Sequence, residues 1–181
     1  MAITAQSSKL ALLALLNADN KTNLTLEQIA LGAPAAIADA AAGQRNTTVA
    51  ITGVDADKLS GSVDVKYTRQ DIAKSLTVTT YDFSNPDATA AEVAAEIVSG
   101  VLAKQPVPYE EGTYTAVATA IAADDAKSQS GRYNWSVAIT LNGHYVLTGA
   151  AEILVNSSKQ DLSAVVGTTD LNGFSEDDVK A

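Results

Sequence analysis

The side chains able to transfer protons, bind metals or attack substrates are few and scattered along these 181 residues. His144 is the sole histidine and cysteine is absent, which excludes His-His and His-Cys metal sets, thiolate chemistry and disulfides. A Ser-His-Asp triad would have to form around His144, which follows an Asn-Gly pair and reads as a solvated turn residue. Asp55-Ala56-Asp57 and Asp170-Leu171-Asn172-Gly173 offer oxygen ligands of the kind calcium uses. Both lack the alternation and distal glutamate of a calcium loop and read as surface turns. No glycine-rich phosphate loop precedes a helix, and no acid pair is placed for glycoside hydrolysis. The expectation is a non-enzymatic chain with no catalytic residue, cofactor or metal. Asn20, Asn23, Asn46, Asn134 and Asn156 each begin an Asn-x-Ser/Thr pattern, as chance allows in a chain so rich in those residues.

Bulk composition points to protein partners. A net charge of −9 and a pI near 4.4 argue against binding nucleic acid or an anionic membrane, since both require a basic face. With 46% apolar but only 5% aromatic residues, the core must be built from alanine, valine and a few larger aliphatics. The longest apolar run, residues 10–16, is short for a membrane span. No basic cluster precedes it, and it reads as a buried helix capped by Ser7 or Ser8.

The elements that would hold any site are organised around residues 133–155. Trp135, Val137, Ile139 and Leu141 share one face at period two, and Asn142-Gly143 predicts a two-residue type I′ turn that sets Ile139 opposite Val146. Residues 47–54 and 61–69 predict a second hairpin. Residues 23–29 suit a capped helix or a strand equally, and residues 76–81 a short strand. A helix over residues 86–104, capped by Asn85, presents Ala90, Val93, Ile97 and Val101 at helical spacing. Residues 113–121 alternate as a strand.

Val-Ala-Ile-Thr occurs twice, at Val49 and at Val137, 88 positions apart. Ala36-Ile37-Ala38 answers Ala120-Ile121-Ala122 at an offset of 84, and Gln70-Asp71-Ile72 answers Gln160-Asp161-Leu162 at 90. A degenerate duplication is the expectation: α+β, with lobes over residues 1–84 and 85–181, each a helix on a small antiparallel sheet. Function is expected at surfaces. The strand bearing Thr113, Thr115 and Val117 offers an edge to a neighbouring chain. Trp135, Tyr133 and Tyr145 are the concentrated aromatics that a glycan-binding alternative would need. Glu176, Asp177 and Asp178 form an acidic arm suited to a basic patch on a neighbour.

Three stretches carry a resemblance. Asn20-Lys21-Thr22-Asn23-Leu24-Thr25-Leu26 after a helix, Tyr67-Thr68-Arg69-Gln70-Asp71-Ile72 after a strand, and the closing Thr169-Asp170-Leu171-Asn172-Gly173-Phe174 are similar to structural proteins of tailed bacteriophages. The resemblance implies a virion component made in the host cytoplasm and assembled in many copies, with other virion proteins as partners. Capsid decoration is the expected role, and a neck, collar or tail position the nearest variant.

Overall fold

Both Val-Ala-Ile-Thr copies lie at the centre of a sheet. The computed structural model describes residues 7–55, 58–104, 110 and 112–157, and within them the protein is α+β. Strand β3 (Thr47–Gly53) holds the first copy. It pairs antiparallel with β4 (Ser62–Tyr67) on one side and with β1 (Ile29–Leu31) and β2 (Ala35–Ala36) on the other. Strand β8 (Trp135–Leu141) holds the second copy, between β7 (Tyr114–Ala120) and β10 (Ala150–Asn156), again antiparallel. Alternation decides the faces: Val49, Ile51, Val137 and Ile139 are buried, while Ala50, Thr52, Ala138 and Thr140 are exposed.

The register repeats as well as the motif. Val49 faces Val65 and Ile51 faces Val63; Val137 faces Ile153 and Ile139 faces Ala151, each residue 88 positions after its counterpart. In both places eight residues, 54–61 and 142–149, join the strands. Both connections close on a glycine with φ near the left-handed region, Gly61 at +84° and Gly149 at +86°, where a side chain would be strained. An asparagine pins each unit at the same place. Asn46 Oδ1 accepts from Arg69 N at 2.9 Å, and Asn134 Oδ1 from Ser157 N at 2.8 Å. Their carbonyls accept from Ile37 N at 2.8 Å and Ile121 N at 2.9 Å.

The expected two-residue turn is therefore corrected. Gly143 has φ +65° but Asn142 does not take positive φ, and type I′ needs both. Ile139 pairs with Ala151 rather than Val146, because residues 142–149 leave the sheet to bury Tyr145 and Leu147, 6% and 3% exposed. Within this excursion β9 (Leu147–Thr148) pairs parallel with β5 (Gln70–Asp71), so the second sheet's connection grips the exit of the first.

Helix α1 (Ser8–Asn20) is capped by Ser7, whose side chain accepts from Leu10 N. Leu12 and Leu13 are buried, but Leu10 and Leu15 are 43% and 44% exposed, so the helix expected to be buried is covered on one face only. Residues 23–29 make a turn, with Ile29 N donating to Thr25 O, before entering β1. The second long helix starts later than expected. Asn85 closes a turn onto Ala88, and the cap of α3 (Ala90–Glu96) is Thr89, which forms a capping box with Glu92. Beyond Glu96 the helix widens through one π-turn, Ile97–Val101, and tightens over Leu102–Lys104. Val93, Ile97 and Val101 make the buried stripe of this helix, as Ser8, Leu12 and Leu13 are the buried residues of α1.

Two apolar clusters result. Leu12, Leu13, Ile29, Val49, Ile51 and Tyr67 form the first, and Tyr145 enters it from the second sheet's connection. Val93, Ile97, Val101, Leu102, Val137, Ile139, Ile153 and Val155 dominate the second. It also takes Ile72, from the short helix α2 (Ile72–Ser75), while β6 (Thr80–Asp82) pairs parallel with β10. Residues 72–82, sequentially in the first half, thus pack with the second sheet. Each fully buried aliphatic here is worth about 1.5–3 kcal/mol of transfer free energy.

Candidate functional site

Strand β7 is seven residues long and contains no proline, glycine or charge. Tyr114, Ala116 and Ala118 turn inward onto the second cluster; Thr115, Val117 and Thr119 point outward, with Val117 55% exposed. Among the described residues β7 pairs only with β8, which makes it an edge strand of this sheet. The start of the edge is fixed by hydrogen bonds. Thr113 Oγ1 donates to Glu110 O at 2.6 Å, Asn142 N donates to Thr113 O at 2.7 Å, and Asn142 Nδ2 donates to Thr115 Oγ1 at 2.9 Å. The outward face continues over Ala138 and Thr140 to Glu152, which binds Lys127 at 2.6 Å and Ser136. The result is a small-residue, uncharged surface bounded by one ion pair.

The first sheet's equivalent edge differs. Gly32, Ala33 and Pro34 split it into β1 and β2, and Tyr145 Oη donates to Gly32 O at 3.0 Å across the break. Proline supplies no donor, and the tyrosine occupies acceptors that a new strand would use. Tyr145 therefore joins the two sheets.

His144, expected to be a solvated turn residue, is 1% exposed. Its Nδ1 accepts from Val146 N at 3.1 Å and Leu147 N at 2.9 Å, and its ring meets Tyr114 edge-on at 5.6 Å. Burial holds its pKa below the usual imidazole value, with Glu110 opposing and Arg69 adding to the shift. With Nδ1 committed to two amides, the ring shapes the loop rather than offering that nitrogen as a base. Arg69 Nη1 donates to His144 O at 3.1 Å, and its Nε donates to Thr47 Oγ1 at 3.0 Å. Glu110 accepts from Ser8 N at 2.9 Å, a carboxylate at the positive end of α1. Burial pushes the Tyr67 and Tyr114 hydroxyls up to about 12.

The remaining candidates are not brought together. Trp135 packs on the second cluster and donates Nε1–H to Ser157 Oγ at 2.9 Å. Tyr133 is 4% exposed beneath Arg132, whose guanidinium lies 5.2 Å from the ring centre. With Tyr145 also buried, these three rings make no exposed platform. Asp55 pairs with Lys58 at 3.6 Å; Ala56, Asp57, the 170–173 stretch, Glu176, Asp177 and Asp178 lie outside the described residues. Among the described residues no group of three or more His, Asp or Glu side chains could hold a metal ion, and no helix is long and apolar enough to cross a membrane. The asparagine pins escaped the sequence reading, although Asn46 and Asn134 stand 88 positions apart, in step with the repeat.

No curated protein and no solved structure matches the chain. The model of a family of unknown function, DUF7941, matches residues 1–180, and with nearly its whole length covered this protein belongs to that family.

Proposed function

We propose that this protein is a non-enzymatic structural subunit of a bacteriophage virion, bound in many copies to the head as a decoration protein. The observation that carries this reading is the unblunted β7 edge beside an uncharged Thr/Val/Ala face. An edge of that kind is a hazard for a free protein and an asset for one that docks on a repetitive lattice. The net charge of −9 keeps unassembled copies apart and soluble. The resemblance of three sequence stretches to tailed-phage structural proteins supplies the virion context, and the partners are then the major capsid protein and further copies of this chain.

The test is sedimentation of purified protein with undecorated heads and, separately, with isolated tails, counting bound copies per particle. Saturable binding to heads at a stoichiometry set by shell symmetry is expected. Val117→Lys, which puts a charge on the edge strand, should weaken that binding at least tenfold. Binding to tails alone would move the protein to the neck or tail, and binding to neither would overturn the virion reading.

A further inference from the structure

An asparagine side chain can be attacked at Cγ by the backbone nitrogen of the following residue, closing a five-membered ring. The attack needs that nitrogen free of hydrogen bonds and a following residue small enough for the two atoms to meet. Most asparagines among the described residues fail one condition. After Asn20, the Lys21 N–H donates to Asn17 O; after Asn23, Leu24 N donates to Asn17 Oδ1 at 2.8 Å; after Asn156, Ser157 N donates to Asn134 Oδ1 at 2.8 Å. Asn85 is followed by Pro86, which has no N–H. Asn46 and Asn134 precede Thr47 and Trp135, the first residues of central strands, and both have their side-chain oxygen and nitrogen engaged.

Asn142-Gly143 meets both conditions. Both residues are exposed, and Gly143, at φ +65°, has open space where a side chain would stand. Among the described residues Gly143 N donates no hydrogen bond and Asn142 Oδ1 accepts none. The two bonds that hold Asn142 do not shield it. Asn142 N donates to Thr113 O at 2.7 Å, upstream of the reacting atoms, and Nδ2 donates to Thr115 Oγ1 at 2.9 Å, which engages the leaving group and leaves Cγ open.

We propose that Asn142-Gly143 is a self-modification site, where the asparagine is converted to aspartate and isoaspartate. Gly143 N gives up its proton and bonds to Asn142 Cγ; the Cγ–Nδ2 bond breaks, and Nδ2 leaves as ammonia with that proton. Water then opens the cyclic imide at either carbonyl and returns a proton to Gly143 N. One water is consumed, one ammonia is released, nothing is oxidised or reduced, and the chain gains one negative charge. Opening at Cγ gives aspartate, whose carboxylate accepts from Thr115 Oγ1 so that the contact survives with its direction reversed. Opening at the backbone carbonyl gives isoaspartate, which adds a methylene to the main chain. That insertion falls where β8 leaves for the joint, directly before the buried His144 and Tyr145.

The test incubates the native protein, and the same protein unfolded in guanidinium, at about pH 8. Trypsin cuts after Arg132 and Lys159, so Asn142 and Asn172-Gly173 fall in different peptides. In the native protein a mass gain of about 1 Da is expected at Asn142, located by peptide fragmentation, with isoaspartate read by enzymatic methylation of its carboxylate. Its rate should rise with pH, because the attacking nitrogen must lose a proton, and should lie within about tenfold of the unfolded rate. Asn142→Gln, whose longer side chain requires a six-membered ring, should lose the gain. A native rate more than about tenfold below the unfolded rate would overturn the proposal, since the fold would then protect the pair. Conversion at Asn134 or Asn156 ahead of Asn142 would overturn it as well.

Discussion

The edges β1–β2 and β7 run along the same side of equivalent strands and have opposite fates. Leu31 faces Ile51 and Ala36 faces Thr47; Ala116 faces Ile139 and Ala120 faces Trp135, the same register throughout. Between those anchors the first edge has one residue more. The extra residue, with Gly32 and Pro34 beside it, bends the strand as a bulge does, and Tyr145 seals the bend. Nothing similar interrupts β7. The core strands share one register, in which a slip would turn every buried side chain to solvent, while the edges beside them differ, one a joint between the sheets and the other an uninterrupted strand.

That comparison can be broken in several ways. The largest effect is expected from Ile139→Asp, which puts an uncompensated charge at a fully buried position and should cost more than about 4 kcal/mol. Ile51→Asp, its counterpart, should do nearly the same. Because Tyr145 and Ile72 each sit in the other unit's cluster, calorimetry of either variant should show one transition; two would mean independent units. Tyr145→Ala should cost about 3 kcal/mol by emptying a site in the first cluster, and Tyr145→Phe about 1 kcal/mol, measured by urea unfolding. Asn46→Ala and Asn134→Ala should each cost about 1–2 kcal/mol, and agreement within about 0.5 kcal/mol would show that the two pins are energetically equivalent.

Acid should act through His144. Its folded pKa lies below the unfolded value of 6.5, so the unfolded chain takes up the proton first. The stability is complete above pH 6.5 and declines as pH falls below it, and a His144→Gln variant should lose that part of the slope in melting curves. The smallest effect belongs to Val117→Lys, which should change stability by less than about 0.5 kcal/mol while impairing particle binding.

The repeated tetrapeptide made both central strands legible, because alternating valine and isoleucine have one buried solution in a sheet. The α+β class follows from those strands and the two periodic helices. The Asn-Gly pair misled: a two-residue turn fits locally, but burying Tyr145 and Leu147 outweighs it. Comparing the copies would have exposed the longer connection, since Gly61 and Gly149 close both. Thr89-Ala90-Ala91-Glu92 spelled a capping box that Asn85-Pro86 overshadowed. The β7 edge was visible as an uncharged alternating strand, whereas the burial of His144 and the Glu110–Ser8 bond depend on contacts between the two units and leave no local pattern.

The crossing of β6 to β10 also sets an order of events during synthesis. Thr80 waits for Leu154, 74 residues later, and at roughly 5–20 residues per second the ribosome needs about 4–15 seconds to supply it. The first sheet can close on its own residues within that interval, except for the place filled by Tyr145. The segment that leaves it cannot, and emerges as a strand without a sheet. Maturation of the first half is therefore timed by translation of the second, and a chain stalled between them would display its sticky segment to every other nascent copy on the same message.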